Sequence, residues 1–171
     1  MMRLATLILA GMLAGSALTL SACGYQLRGT QVHSSKLPVA HAQAQIISED
    51  NPLGHAVRQK LIDRLTLMGV DGDDGNASNK IQIKNLRYRR YELVGVLTEV
   101  RLLLMADVHY QIMQNGQMVE IIKPVQVEKS YQFNEADVAT SDQQGEQNQR
   151  WLQDSLTERI AEQYYSLGIT Q

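Results

Sequence analysis

A short segment in the middle of the chain carries its densest group of positive side chains, Arg87-Tyr88-Arg89-Arg90-Tyr91. Guanidinium groups bind phosphate oxygens through paired hydrogen bonds, so the segment suits the phosphates of a glycolipid. Basic residues interleaved with aromatic residues also occur in proteins that bind single-stranded nucleic acid. A third interpretation is a solvated strand end whose arginines pair with neighbouring acids. The residues by themselves favour this last interpretation.

The chain has one cysteine, Cys23, and its position indicates lipidation. The positively charged Arg3 precedes an apolar run at residues 4–20, which is short for a membrane span and typical of a signal peptide. The run ends in Leu20-Ser21-Ala22-Cys23, which resembles a bacterial lipobox, where the cysteine sulfur accepts diacylglycerol. The alternative is a secretory signal that is followed by an unmodified cysteine.

Cleavage before Cys23 divides the chain into a signal peptide at residues 1–22 and a single periplasmic domain at residues 23–171. Within that domain we expect a tether at residues 23–36 and a folded core at residues 37–168. Two or three acyl chains hold a protein on a membrane far more firmly than one chain does. Gly24 is not the aspartate that retains lipoproteins at some inner membranes, which favours the outer membrane. Because an exported protein rarely meets nucleic acid, we expect no nucleic-acid partner.

Residue types that catalyse reactions or bind metals do not form a known motif. No metal-ligand spacing separates the four histidines, which are His33, His41, His55 and His109. The acidic loop at residues 71–76 resembles a calcium-binding loop only in part, because Gly75 and Gln82 replace two of its ligands. An acylated Cys23 sulfur is not a nucleophile. We therefore expect no metal, no cofactor and no enzymatic activity, and an enzyme without a recognisable motif remains the alternative.

The composition is that of an ordinary globular protein. Of the 171 residues, 44% are hydrophobic, and 16 basic residues against 18 acidic ones give a net charge of −2. These values exclude collagen-like, wholly disordered and multi-span membrane proteins. Aromatic residues make up only 5% of the chain, so the core must consist mainly of Leu, Ile, Val and Met.

Two segments have the periodicity of amphipathic helices. Asn51-Pro52 predicts the start of the first helix and Gly69 its end. Its apolar face consists of Leu53, Val57, Leu61, Leu65 and Met68. For the second helix, a cap at Thr140, Ser141 or Asp142 is expected. Its core face consists of Leu152, Leu156, Ile160, Tyr164 and Leu167, with Trp151 beside them and Gly168 at the end.

The residues between these helices alternate in polarity as strands do. A change of phase near Asn85 predicts a β-bulge. Asn115-Gly116 predicts a two-residue type I′ turn, which places Ile112 opposite Val119 and every paired set of apolar residues on one face. Pro124 predicts a bulge or an edge strand. With a first strand within residues 36–47, the sequence predicts an α+β fold, with two helices packed on one face of a four-stranded mixed sheet that contains a long β-hairpin.

The residues at the predicted mature N-terminus carry a family resemblance. The segment Cys23-Gly24-Tyr25-Gln26-Leu27-Arg28-Gly29 resembles the start of LptE, the lipopolysaccharide-assembly lipoprotein of the LptE/RlpB family. The family motif Cys-Gly-aromatic-x-Leu-Arg is matched by Cys23, Gly24, Tyr25, Leu27 and Arg28. Residues 52–61 resemble the first helix of that family, and the order of elements agrees over the mature chain.

The resemblance implies a non-enzymatic role at the outer membrane. LptE proteins plug the LptD β-barrel, assist its assembly, and form with it the translocon that delivers lipopolysaccharide to the outer leaflet. The expected location is therefore the periplasmic side of the outer membrane, lipid-anchored and inside the barrel lumen, with LptD and lipopolysaccharide as partners. Arg87, Arg89 and Arg90 lie in the region comparable to the family's lipopolysaccharide contacts. An unrelated outer-membrane lipoprotein scaffold is the alternative, followed by a periplasmic enzyme.

Overall fold

A computed structural model provides the structure of the protein and describes residues 41–93, 98–133 and 138–169. The elements in chain order are β1 (Gln45–Ile47), α1 (Pro52–Leu67), β2 (Lys80–Leu93), β3 (Thr98–Gln114), β4 (Gln117–Phe133) and α2 (Val138–Ile169). The four strands form one sheet in the order β1-β2-β3-β4, with β1 parallel to β2 and the other pairs antiparallel. This confirms the predicted α+β fold. The predicted signal peptide, the tether, Cys23 and the other family-motif residues lie outside the described residues.

The β3–β4 hairpin has the predicted turn and register. Asn115 and Gly116 have φ values of 50° and 78°, as a type I′ turn requires at its two central positions. Pairing runs without interruption from Gln114 opposite Gln117 to Thr98 opposite Phe133, and Ile112 lies opposite Val119. Each strand has 17 residues, which corresponds to a length of roughly 55 Å.

Pro124 lies in an edge strand, one of the two predicted settings, and no bulge accompanies it. It pairs with Asp107 in continuous register, and β4 is the outermost strand of the sheet. Arg159 Nη1 donates to the carbonyl oxygen of Gln126 at 2.9 Å, so the backbone groups of Gln126 point away from β3. Alternate residues of a strand share this direction. The backbone nitrogen of Pro124 therefore faces the free edge, and its lack of an N–H removes no hydrogen bond from the ladder.

The predicted bulge in β2 is present. Lys84 pairs with Asp107 and Arg87 with Met105, so two residues of β2 lie opposite one residue of β3. Asn85 has a φ of 53°, in the left-handed region that asparagine tolerates, and its Nδ2 donates to Asp107 Oδ2 at 2.7 Å. The bulge reverses the side-chain alternation in the second half of β2.

Helix α1 begins and ends as predicted. The Asn51 side chain accepts a hydrogen bond from the N–H of Gly54 at 2.8 Å, and Pro52 occupies the first helical position. At the other end, Gly69 (φ 80°) donates to Thr66 O and Val70 donates to Leu65 O, which is a Schellman motif. The buried residues of this helix are Gly54, Val57, Leu61 and Leu65.

Helix α2 is longer than predicted. It begins at Val138, so Thr140, Ser141 and Asp142 lie inside the helix, and the predicted cap at these residues is wrong. No glycine or proline interrupts residues 138–144, which allows helical hydrogen bonding to continue toward the hairpin. Ion pairs from Lys60 to Asp154 and from Arg64 to Glu158 connect α1 with α2.

The core face of α2 is confirmed except for its tryptophan. Leu152, Leu156, Ile160 and Tyr164 are buried against the sheet and α1. Trp151 is 44% exposed, which contradicts its predicted place in the core. The Nζ of Lys129 on β4 lies 4.7 Å from the Trp151 ring centroid, a cation–π contact at the surface. The position of Trp151, one residue before Leu152, turns its ring toward the edge of the sheet.

A buried polar cluster connects α2 to the end of the sheet where the described chain begins. The hydroxyl of Tyr164 donates to the carbonyl oxygen of His41 at 3.1 Å and accepts a bond from Asn79 Nδ2 at 3.3 Å. The Asn79 Oδ1 accepts the N–H of Met113 at 2.9 Å. Burial raises the pKa of Tyr164 to about 12.

A Leu156→Ala variant should lose about 2–5 kcal/mol of unfolding free energy, because it leaves a cavity between α2 and the sheet. Leu67→Ala is the matched control, since it makes the same change at a helical position that is 81% exposed. That control should stay within about 0.5 kcal/mol of the wild type. Urea unfolding followed by Trp151 fluorescence measures both values, and equal losses would contradict the core assignment.

The raised pKa of Tyr164 predicts a loss of stability in alkaline solution. A tyrosine in the unfolded chain has a pKa near 10, below the value of about 12 in the fold. The contribution of Tyr164 is therefore complete below a pH of about 10 and declines as the pH rises toward 12, by at most about 1.4 kcal/mol per pH unit. Tyr164→Phe should reduce this slope in urea unfolding measured at a series of pH values. An unchanged slope would contradict the prediction.

A candidate anion-binding site on the outer sheet face

Both helices pack on one face of the sheet. The even-numbered residues of β3 that point to this face are all buried and comprise Val100, Leu102, Leu104, Ala106, Val108, Tyr110 and Ile112. The Tyr110 hydroxyl, for example, lies 2.8 Å from Gln163 Oε1 on α2. We call the opposite face, which no described helix covers, the outer face. It carries the odd-numbered residues of β3.

The three arginines that are close together in the sequence lie on different faces of the sheet. Arg87 and Arg89 pair with Met105 and Leu103 of β3 and therefore lie on the outer face. Arg90 pairs with Leu102 and lies on the helix-covered face. There its Nη2 is 2.9 Å from Glu92 Oε1. Strand alternation, applied to the predicted β2, would have indicated this division.

The bulge adds a lysine to the same face. Before the bulge, the residues of β2 that point to the outer face are even-numbered, and Lys84 is one of them, opposite Asp107. After the bulge they are odd-numbered, so Lys84, Arg87 and Arg89 follow one another along one side of the sheet. Lys84 is not among the site residues predicted from the sequence, although the predicted bulge near Asn85 implies that it shares a face with Arg87 and Arg89. The result is a positive row along β2.

The positive row borders a short apolar strip. The half-buried side chains of Leu103 and Met105 on β3 lie beside Arg89 and Arg87. Arg89 Nη1 donates to the Tyr91 hydroxyl at 3.3 Å, and this bond raises the pKa of Arg89, which stays a cation. Arg87 has no acidic partner among the residues that the structure describes.

This arrangement suits an anionic amphiphile. Guanidinium groups with free donors bind phosphate oxygens through short, charge-assisted hydrogen bonds. Hydrocarbon from the same ligand can cover the apolar strip next to the arginines. A soluble anion would use only the first of these contacts.

Among the described histidines, His55 and His109 have acidic neighbours, and the ring of His41 lies near that of Tyr164. His55 Nε2 lies 2.8 Å from Asp50 Oδ1, and His109 Nδ1 lies 3.0 Å from Glu120 Oε1. The bond with His109 lowers the pKa of Glu120. Within residues 41–93, 98–133 and 138–169, no three His, Cys, Asp or Glu side chains form a group that could hold a metal ion.

Two surface depressions of about 290 and 410 Å³ lie near the start of β3 and the end of β4. Ser130 lines both of them, and Trp151 borders the larger one. Neither brings together residues in a recognisable catalytic arrangement. None of the described helices combines the length and the apolar character that a membrane span requires.

Comparison with known proteins identifies similar structures only. No protein-family model matches the chain, and no curated protein matches it in sequence. The crystal structure of a minor lipoprotein from Acinetobacter baumannii is similar, with 25% sequence identity and a TM-score of 0.64 over 75% of this chain and 94% of that one.

Two further similar structures are lipoproteins. Rare lipoprotein B from Shewanella oneidensis is 17% identical, with a TM-score of 0.59 over 75% of this chain and 97% of that one. Lipoprotein B from Nitrosomonas europaea, solved by NMR, is 19% identical, with a TM-score of 0.60 over 84% of this chain and 92% of that one.

The fold is therefore one that bacterial lipoproteins share. Within that class it is an LptE-like fold, because rare lipoprotein B, a member of the LptE family, is among the similar structures.

Proposed function

We propose that the protein is an outer-membrane lipoprotein of the LptE type, which plugs an LptD β-barrel, assists its assembly and contributes to lipopolysaccharide delivery. Residues 1–22 are the signal peptide, Cys23 carries the acyl chains, and residues 23–36 connect it to the folded core. The observation that carries the proposal is an LptE-like fold in a chain that also has a lipobox and the Cys-Gly-aromatic-x-Leu-Arg motif.

The shape and polarity of the described domain support the plug function. The hairpin strands have 17 residues each, whereas typical strands have about five or six. The outer face carries charged and amide side chains together with apolar ones, of which Met118 and Ile122 are 50% and 57% exposed. A domain with such long strands and a partly polar face suits the wet interior of a large barrel, where a wholly apolar face would not be hydrated.

The positive row supports direct binding of lipopolysaccharide as a secondary function. Arg87 and Arg89 offer guanidinium donors on one face, and Lys84 extends their charge along β2. Lipid A phosphates are the matching groups. Arg90, which pairs with Glu92 on the other face, is left out of this proposed site.

A comparison of Arg89→Ala with Arg90→Ala tests the proposed contact, since both variants lose one positive charge from neighbouring positions. Arg89→Ala should weaken the binding of purified lipopolysaccharide by roughly tenfold, because a hydrogen bond to a charged group contributes about 1.5–3 kcal/mol. It should also reduce the dependence of binding on salt. Arg90→Ala should bind like the wild type. Equal weakening in both would mean that only net charge matters, and unchanged binding in both would remove the site.

The barrel partner is tested by affinity purification of the tagged, lipidated protein from detergent-solubilised outer membranes. We expect a large β-barrel protein in equal amount, which stays bound through stringent washing and is identified as LptD by mass spectrometry. A Cys23→Ser chain behind a cleavable secretory signal has no acyl anchor, and the part of it produced in excess over the barrel should be found in the soluble periplasmic fraction. Recovery of the lipoprotein alone, from cells that contain the barrel, would contradict the plug function.

A further inference from the structure

The two edges of the sheet are protected to different extents. An edge strand presents unpaired N–H and C=O groups to which another strand can bind. On β4, Pro124 has no N–H to offer, and Arg159 occupies the carbonyl oxygen of Gln126. On β2, β1 pairs with residues 80–82, and Glu49 Oε1 accepts the outward N–H of Leu86 at 3.1 Å. Both edges are thus blocked over part of their length.

The second half of β2 has no such protection within the described residues. In an antiparallel ladder, pairs of opposite residues that exchange backbone hydrogen bonds alternate with pairs that do not. The backbone groups of Gln126 point outward, so its partner Met105 and the other odd-numbered residues of β3 form their backbone hydrogen bonds with β2. Beyond the bulge, the partners of these residues on β2 are odd-numbered as well. The backbone groups of Tyr88, Arg90 and Glu92 therefore point away from β3. No described strand pairs with them.

We propose that residues 88–92 of β2 form a docking edge for one extended segment of a partner protein, with acidic side chains at alternate positions. Binding would add a fifth strand to the sheet through backbone hydrogen bonds to Tyr88, Arg90 and Glu92. This interaction goes beyond the proposed plug and lipopolysaccharide functions and requires neither.

The charge of the edge defines the chemistry of the added segment. Side chains directly opposite on neighbouring strands lie about 4.5–5.5 Å apart, measured between their Cβ atoms. Acidic side chains of the new strand on the outer face would therefore lie beside Arg87 and Arg89. Tyr91 and Leu93, which are 42% and 48% exposed, offer apolar contacts at the end of the same row.

A synthetic peptide, acetyl-Thr-Glu-Val-Glu-Val-Glu-Thr-amide, is the probe. Amide hydrogen exchange of the mature chain in a non-ionic detergent is followed by NMR with and without excess peptide. The amides of Tyr88, Arg90 and Glu92 should exchange at least tenfold more slowly when the peptide is present. The outward amides of Glu128 and Ser130 on β4 should not change. No slowing on β2, or equal slowing on both edges, would overturn the proposal.

A proline substitution separates backbone docking from charge. Arg90→Pro removes one outward N–H and leaves the ladder with β3 intact, as native Pro124 does on β4. It should weaken peptide binding at least tenfold, whereas Arg90→Ala should bind within about twofold of the wild type. Equal affinities of Arg90→Pro and Arg90→Ala for the peptide would contradict docking at this edge. Trp151 fluorescence verifies folding, and the exchange measurement decides the question if Arg90→Pro is unfolded.

Lipopolysaccharide binding by the same variants separates this inference from the proposed function. Arg90→Pro keeps Arg87 and Arg89 on the outer face and should bind lipopolysaccharide like the wild type. A chain that binds the peptide and not lipopolysaccharide would refute the lipid proposal alone. A chain that binds lipopolysaccharide and not the peptide would refute the docking edge alone.

Discussion

The unbroken register of the β3–β4 hairpin is the constraint on which the rest of the molecule depends. Side chains alternate between the two faces of a strand, so a shift of one residue would move the buried residues of β3 to the outer face. The two positive φ values at Asn115 and Gly116 define this register. Helix α2 can then pack on one face only, and α1 packs beside it. The polar outer face is a consequence of the same pairing.

The bulge in β2 changes which side chains of this strand point to the outer face. A regular strand would direct Lys84 to one face and the two arginines, Arg87 and Arg89, to the other. The extra residue brings all three to the outer face, and the Asn85–Asp107 hydrogen bond holds the bulge in place. The bulge also ends the part of β2 that Glu49 and β1 protect. The arginines of the positive row and the part of the β2 edge that no described residue covers thus begin at the same irregularity.

Both proposed interactions use the surface of β2. The described residues contain no group of three metal-binding side chains, and the depressions near the start of β3 and the end of β4 bring together no catalytic arrangement. A positive row beside an apolar strip suits an anionic lipid, whereas an open strand edge suits a peptide backbone. The two proposed interactions use different atoms of the same strand, side chains in one case and backbone in the other. Both are compatible with a lipoprotein anchored at its N-terminus.

Local patterns in the sequence determined most of the fold. The period of two from Lys80 onward, the Asn-Gly turn, the Asn51-Pro52 helix start and the apolar spacing in α2 predicted the elements and their order, because each depends on neighbouring residues. The tertiary structure alone decided that α2 begins at Val138 and that Trp151 lies at the surface. It also decided which part of the β2 edge is left without a partner among the described residues. Such outcomes depend on which strands become neighbours and on how the helices cover them, and these long-range contacts leave no periodic trace in the chain.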